Sequence, residues 1–310
     1  MAEFAPLLVA VLIPLVVPAL GFIAAGADAA LRSRALGAPA RVGWARPGRE
    51  TLRLLRQQRR SVLGADALLW RTGGVGLAVA AFLLVLVVPV GETPAADLPL
   101  GIIWFTTIDV ALWALWWLLG WGPNGAFSLI GGYRFLAQAL AYELPLMFAL
   151  LAPAVAAGSL RVADIVSAQR EVWFVVSTPA AALVYLLSVA AFSAWGPFSA
   201  ASGRDLAGGV LAELSGLDRL LVLGGRWCVL VAGAAFAVPL FLGGGGGPLL
   251  PAAVWVIVKT LLVLAVLIAL GRGVPVILPQ RLAEVGWVIL VPLTLLQILI
   301  VAVAAAVGRA

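Results

Sequence analysis

The chain has no histidine and a single cysteine, Cys228. Without histidine, the usual ligand of haem, zinc and copper is missing, and so is the commonest general base. One cysteine excludes an internal disulfide framework and any iron–sulfur cluster held by thiolates of this chain alone. Charge is scarce too: 11% of the 310 residues are Asp, Glu, Lys or Arg. Apolar residues make up 64%, with a mean hydropathy of +1.13. A water-soluble core of this size does not require so much, so composition places the chain in lipid. The expectation is that this chain binds no metal or iron–sulfur cluster, and that any redox cofactor sits on a partner or is a diffusible, lipid-soluble molecule.

Apolar stretches of spanning length recur at roughly 4–25, 73–90, 98–119, 134–157, 173–193, 219–242, 249–270 and 285–307. Each approaches the ~20 residues a bilayer requires. The expectation is an all-α, polytopic membrane protein with about eight helices, residues 1–310 forming one membrane domain. The first apolar run lacks a basic leader and is too long for a signal-peptide core, so it reads as a retained first span.

Only one connection is long. Residues 28–66 carry nine arginines, at 32, 34, 41, 46, 49, 53, 56, 59 and 60. The positive-inside rule places this basic loop in the cytoplasm of an inner (plasma) membrane protein, with both termini on the other side. Within it, "RPGRETLRLLRQQRR" sets leucines and arginines at helical spacing. That suits an interfacial helix on anionic headgroups, and equally a docking surface for a soluble partner. The run lacks interleaved aromatics, which argues against nucleic acid. The run "GGGGG" at 243–247 is followed by no Gly-Lys-Ser/Thr, so it reads as a flexible turn rather than a phosphate loop.

Four ionisable residues fall inside predicted spans: Asp109, Glu143, Arg226 and Lys259. Charges at that depth avoid lipid and face a bundle interior or a hydrated cavity. Counting along the spans allows all four to share one depth near the bilayer centre. On the fourth span Arg134, Gln138 and Tyr142 form a stripe four residues apart. Glu143 is nine residues from Arg134 and points the opposite way, so its partner must come from another helix or from water. Such charges either staple helices together or carry protons.

The segment "GWGPNGAFSLIGGYRFLAQALAYE" resembles the family of the complex I H-type subunit, called subunit 1 in mitochondria. That family reads GW-x-SN-x-KYSLLG-x-x-R-x-x-AQ-x-x-SYE, matched here at Trp121, Asn124, Ser128, Leu129, Gly131, Arg134, Ala137, Gln138, Tyr142 and Glu143. "APARVG" at 38–43 resembles GPNRVG of its first cytoplasmic loop. "GPLLPAAVWVIVKT", with Lys259, and "LAEVGWVILVPLTL" resemble its last two spans. The resemblance covers nearly the whole chain.

It implies a membrane-embedded subunit of a respiratory NADH–quinone oxidoreductase, a proton-translocating enzyme of which this chain is a non-autonomous part. It would link a peripheral redox arm and a quinone chamber to the pumping arm, with other membrane and peripheral subunits, quinone and lipid as partners. It further implies Glu143, Asp205 and Glu213 as proton-relay or chamber carboxylates. Arg134, Gln138 and Arg41 become chamber or interface residues, and Asp109, Arg226 and Lys259 a line of buried charge. Related anchor subunits of membrane-bound hydrogenase or formate hydrogenlyase remain open, as does a divergent scaffold with weakened quinone coupling. The loop at 193–218 resembles the family's chamber loop but is poor in acid. Its Pro197, Phe198, Leu206, Gly209, Glu213, Ser215 and Gly216 hold, whereas Ser199, Ala201, Ser202, Gly203 and Arg204 replace a carboxylate-rich run.

Overall fold

The computed structural model describes residues 4–60, 62–91 and 93–307. The order is α1 (Phe4–Ala35), α2 (Ala40–Trp44), α3 (Arg46–Arg56), α4 (Ala67–Val85), α5 (Gly101–Trp121), α6 (Ala126–Ala157), α7 (Val162–Ala168), α8 (Phe174–Ser177), α9 (Pro179–Phe192), α10 (Gly216–Phe241), α11 (Ala252–Gly273), α12 (Pro279–Val285) and α13 (Val291–Val307). Between α12 and α13 lies one π-helical turn, Gly286–Leu290. A two-residue hairpin, Pro89–Val90 with Thr93–Pro94, accompanies them.

Among the described residues seven helical stretches are long and apolar enough to cross a bilayer, and α9, at 14 residues, is a shorter apolar helix. The expected count of about eight is met with α9 as the short member. The chain is an all-α integral membrane protein. The boundaries move where polar chemistry decides them. α1 runs ten residues past its expected end because Asp28, buried on its inner face, is met by Arg32 at 3.1 Å and by Arg272 of α11 at 2.8 Å. α4 starts earlier because Asp66 caps it, accepting from the backbone N–H of Leu68 and Leu69.

Packing relies on small residues, as expected where lipid supplies no hydrophobic drive between helices. α10 lies against α4, α4 against α5, and α5 against α6. A β-carbon added to Gly73 would stand 2.7 Å from the Leu115 carbonyl, and one on Gly225 2.8 Å from Leu77 Cβ. A close crossing pairs Gly120 of α5 with Gly132 of α6, where an added β-carbon on Gly120 would lie 2.7 Å from the Gly132 Cα. The outward faces of α1, α11 and α13 carry exposed leucine, valine and isoleucine, which suits contact with lipid chains.

On the side opposite α2 and α3, Arg161 forms a two-armed ion pair with Asp97 between the α4–α5 and α6–α7 connections. Arg161 holds the Asp97 carboxyl below the usual carboxylate range. The pair's small contribution is therefore present above the ordinary pKa of an aspartate and is lost as pH falls through the lowered value.

Gly120→Val should force the α5–α6 crossing apart and destabilise the chain by about 1–3 kcal/mol or more, read as a lower thermal midpoint of the detergent-solubilised protein. An unchanged midpoint would mean that the close approach does not support the fold.

Candidate functional site

The Gly120–Gly132 contact sets the register of two antiparallel helices. Asp109 is eleven residues before Gly120, and Glu143 is eleven residues after Gly132. Eleven residues is three turns, so both side chains return to the shared face about 16 Å along the helices. Stacking of Trp116 on Phe135 at 4.8 Å keeps that register between the glycines and the acids. The two carboxyls come together near the middle of α5 and α6. Asp109 is fully buried, and Glu143 turns both oxygens inward from a half-buried stem. As two carboxylates they leave four buried oxygens with no donor among the described residues. The Tyr142 hydroxyl, also buried and unpartnered, lies near both acids, and the Trp113 indole N–H lies beside it. Pro145, one turn on, cannot donate to the Ala141 carbonyl. Gly286 of the π turn sits against that freed carbonyl, where an added β-carbon would lie 2.6 Å from it.

The partner expected for Glu143 on another helix is thus a carboxyl, not a cation. The reason lies in where the cations went. Lys259 donates to the carbonyls of Leu242, Gly244 and Gly246 at 2.6, 2.9 and 2.7 Å, with its ammonium 4.4 Å from the Trp173 ring. The glycine run therefore wraps an ammonium, and positive φ at Gly243 and Gly244 turns the carbonyls inward. Arg226 donates to the Ala194 carbonyl and the Ser202 hydroxyl and lies over Trp116. From Arg226 to Leu242 is sixteen residues of α10, or about 24 Å. The expectation of one shared depth for all four charges is corrected: Asp109 and Glu143 meet, while Lys259 and Arg226 stand towards opposite ends.

The stripe on α6 meets the acid-poor loop. Arg134 pairs with Asp205 at 2.6 Å and reaches the Ala200 carbonyl. Gln138 donates to the Ala191 carbonyl at 2.8 Å, and Tyr142 packs edge-on to Phe192. The loop is a chain of short 3-10 turns from Gly196 to Leu211 with Ala200, Ala201 and Val210 buried. Where the resembled family carries acids, Ala201 lets the loop press on α6: an added β-carbon at Gly131 would lie 2.5 Å from the Ala201 carbonyl.

Glu213 is bound by Arg60 at 3.2 Å, and the Ser215 hydroxyl accepts from the Arg60 N–H at 2.6 Å. The end of the first loop thus lies along the second. Beside them is a cleft of about 270 Å³ lined by Gly64, Asp66, Trp121, Asn124, Gly125 and Leu129. Arg41 is exposed on α2, which packs on α1 and α3, away from the buried stripe.

Among the ion pairs that the sequence reading did not give are those of Asp28 with Arg32 and Arg272, and of Asp218 with Arg71 at 3.5 Å. For Asp28 the signal was an acid in an apolar run with an arginine four residues on. For Asp109 and Glu143 it was their equal distance from two glycines.

Residues 5–302 match the family described as NADH dehydrogenase. Over 270 residues, 83% of this chain and 82% of the relative, the sequence is 35% identical to the second H-type subunit of NADH-quinone oxidoreductase from Geobacter sulfurreducens. It is 33% identical to the second H-type subunit of Cereibacter sphaeroides over 84% of this chain and 83% of that protein. The H-type subunit of Carboxydothermus hydrogenoformans is 31% identical over 70% of this chain and 64% of its own length. The match over almost the full length, together with the membrane-spanning helical fold, places the chain in the NADH dehydrogenase family, among relatives named as the H-type subunit of NADH-quinone oxidoreductase.

Proposed function

We propose that the chain is the membrane subunit of a proton-translocating NADH–quinone oxidoreductase, and that it carries a relay from its loop surface into the bilayer. The observation that supports this is the single stripe Arg134–Gln138–Tyr142, which runs from the Asp205 ion pair at the loop to the Asp109–Glu143 carboxyls in mid-membrane. Glu143 takes and releases a proton, Tyr142 passes or orients it, and Gln138 fixes the end of α9 against α6.

Quinone is the substrate class implied by the relatives' names. Arg134, through Asp205 and the Ala200 carbonyl, and Gln138, through the Ala191 carbonyl, tie down part of the wall and have further N–H donors to spare. The cleft beside Glu213 opens into that wall. Partner subunits supply the redox centres. Relatives named for quinone reduction favour this reading over a hydrogenase anchor.

The basic loop would lie on the cytoplasmic side and dock the soluble arm. In α3 Leu54 is buried as an anchor, while Leu52, Leu55 and the arginines face outward. Arg53 grips Glu50 at 2.6 Å and holds its carboxyl below the usual range. The remaining positive charge is free to meet acidic residues of a partner.

Glu143→Gln keeps the size and hydrogen-bonding capacity of the side chain but cannot carry a proton. In vesicles holding the assembled complex, proton translocation should drop about tenfold or more, by analogy with the loss of an acid–base group, while subunit binding persists. Normal translocation would reduce Glu143 to a structural role. Reversing charge at Arg53, Arg56 and Arg59 together should release the soluble arm at moderate salt and leave membrane insertion intact. An arm that stays bound would make α3 a lipid anchor only. The outer lock gives a separate readout. Lys259→Met leaves three carbonyls without their donor, the buried Gly244 one at about 1–3 kcal/mol, and should speed hydrogen exchange over 242–248 in the complex. Unchanged exchange there would mean the ammonium does not hold the loop.

A further inference from the structure

We propose that Asp109 and Glu143 hold one proton in common, as a carboxyl–carboxylate pair bridging α5 and α6 with the Tyr142 hydroxyl as its third member. The inference rests on the reading of Glu143 as a proton carrier and adds Asp109, a residue on another helix, as its partner.

Four carboxyl oxygens are buried and none receives a donor from the described residues. Two like charges in contact, without a cation, cannot both persist in a setting of low polarity. Among the described residues the surroundings offer no cation. Arg226 is engaged at Ala194 and Ser202, Lys259 in its carbonyl cage, and Arg134 by Asp205. From α4 and α10, Arg71 and Asp218 pair with each other. From α9, Tyr185 lies near Asp109, but its hydroxyl donates to the Gly233 carbonyl at 2.8 Å. On α13, Thr294 and Gln297 bond backbone carbonyls.

What does face the pair is a donor chain. The Tyr142 hydroxyl is unpartnered, its residue 2% exposed, and the unpartnered Trp113 N–H lies next to it. Trp113 can donate to the phenol oxygen, and the phenol O–H to one carboxylate oxygen. That one donor chain matches one negative charge, not two and not none. A proton bonded to an oxygen of one acid and hydrogen-bonded to the other satisfies two more of the four, so each acid is met at least once. Passing it from Asp109 to Glu143 breaks one O–H bond, forms another, and leaves the pair's total charge at minus one. Taking a second proton neutralises the pair, and giving it up restores the charge. Two coupled acids of this kind titrate as a unit.

The test is infrared spectroscopy of the assembled complex in membranes at neutral pH, comparing wild type with Asp109→Asn, Glu143→Gln, the double variant and Tyr142→Phe. The wild type should show the carbonyl stretch of a protonated carboxyl group. That same band should be lost or shifted by each single acid replacement and be absent from the double variant. Tyr142→Phe should shift it without loss of intensity. A band missing from the wild type, or one that responds to only one of the two acids, overturns the shared proton. Where an acid replacement blocks assembly, the wild-type band and its shift in Tyr142→Phe decide the matter. Failure of the relay looks different. Normal translocation by Glu143→Gln, with a band that answers to both acids, leaves the pair standing and removes its role in pumping.

Discussion

A polar group carried into a bilayer costs several kcal/mol unless it is met there, and the arrangement of this chain follows from that demand. Lys259 is met by three carbonyls turned inward by a glycine run, and Asp28 by two guanidinium groups. Arg134 takes Asp205, and Arg226 a carbonyl and a hydroxyl. Each solution fixes two elements against one another: α10 to α11, α1 to α11, and α6 and α10 to the loop before α10. The ionic contacts therefore act as fasteners near the ends of the spans, and helix contacts between them are left to glycine and alanine.

Against that background the mid-membrane acids differ in kind. The oxygens of Asp109 and Glu143 are buried with no donor among the described residues, and on the reading proposed above a proton they share meets that need. A fastener that keeps its charge cannot carry protons, whereas a pair held together by a proton can. The site also lies where the helices are least regular. Pro145 frees a carbonyl of α6, and Gly286 admits the π turn against it. π turns recur at functional positions because they realign side chains within a span. The fold thus sets permanent locks near the membrane faces and a protonatable contact between them.

The loop at 193–216 shows how composition becomes architecture. Alanine and glycine in place of acids let Ala200, Ala201 and Val210 pack down on α6. The two carboxylates that remain, Asp205 and Glu213, are claimed by Arg134 and Arg60. The loop is therefore a packed cover tied to α6 by Arg134–Asp205 and to the first loop by Arg60–Glu213, with a cleft beside it at the 121–129 turn.

The membrane class, the count of spans, the basic first loop and the Arg134–Gln138–Tyr142 stripe were legible in the sequence. Hydropathy and a 3.6-residue period depend only on neighbours along one helix. That Glu143 points away from Arg134 followed from the same period. Its partner did not, because a helix shows which face a residue occupies but not which helix crosses that face. The crossing of Gly120 with Gly132 chose Asp109, and the glycine run, which read as an empty turn, withdrew Lys259 from the centre. Sequence alone determined that buried charges had to be satisfied; only the tertiary structure decided by whom, because satisfaction in lipid is a contact between elements distant in the chain.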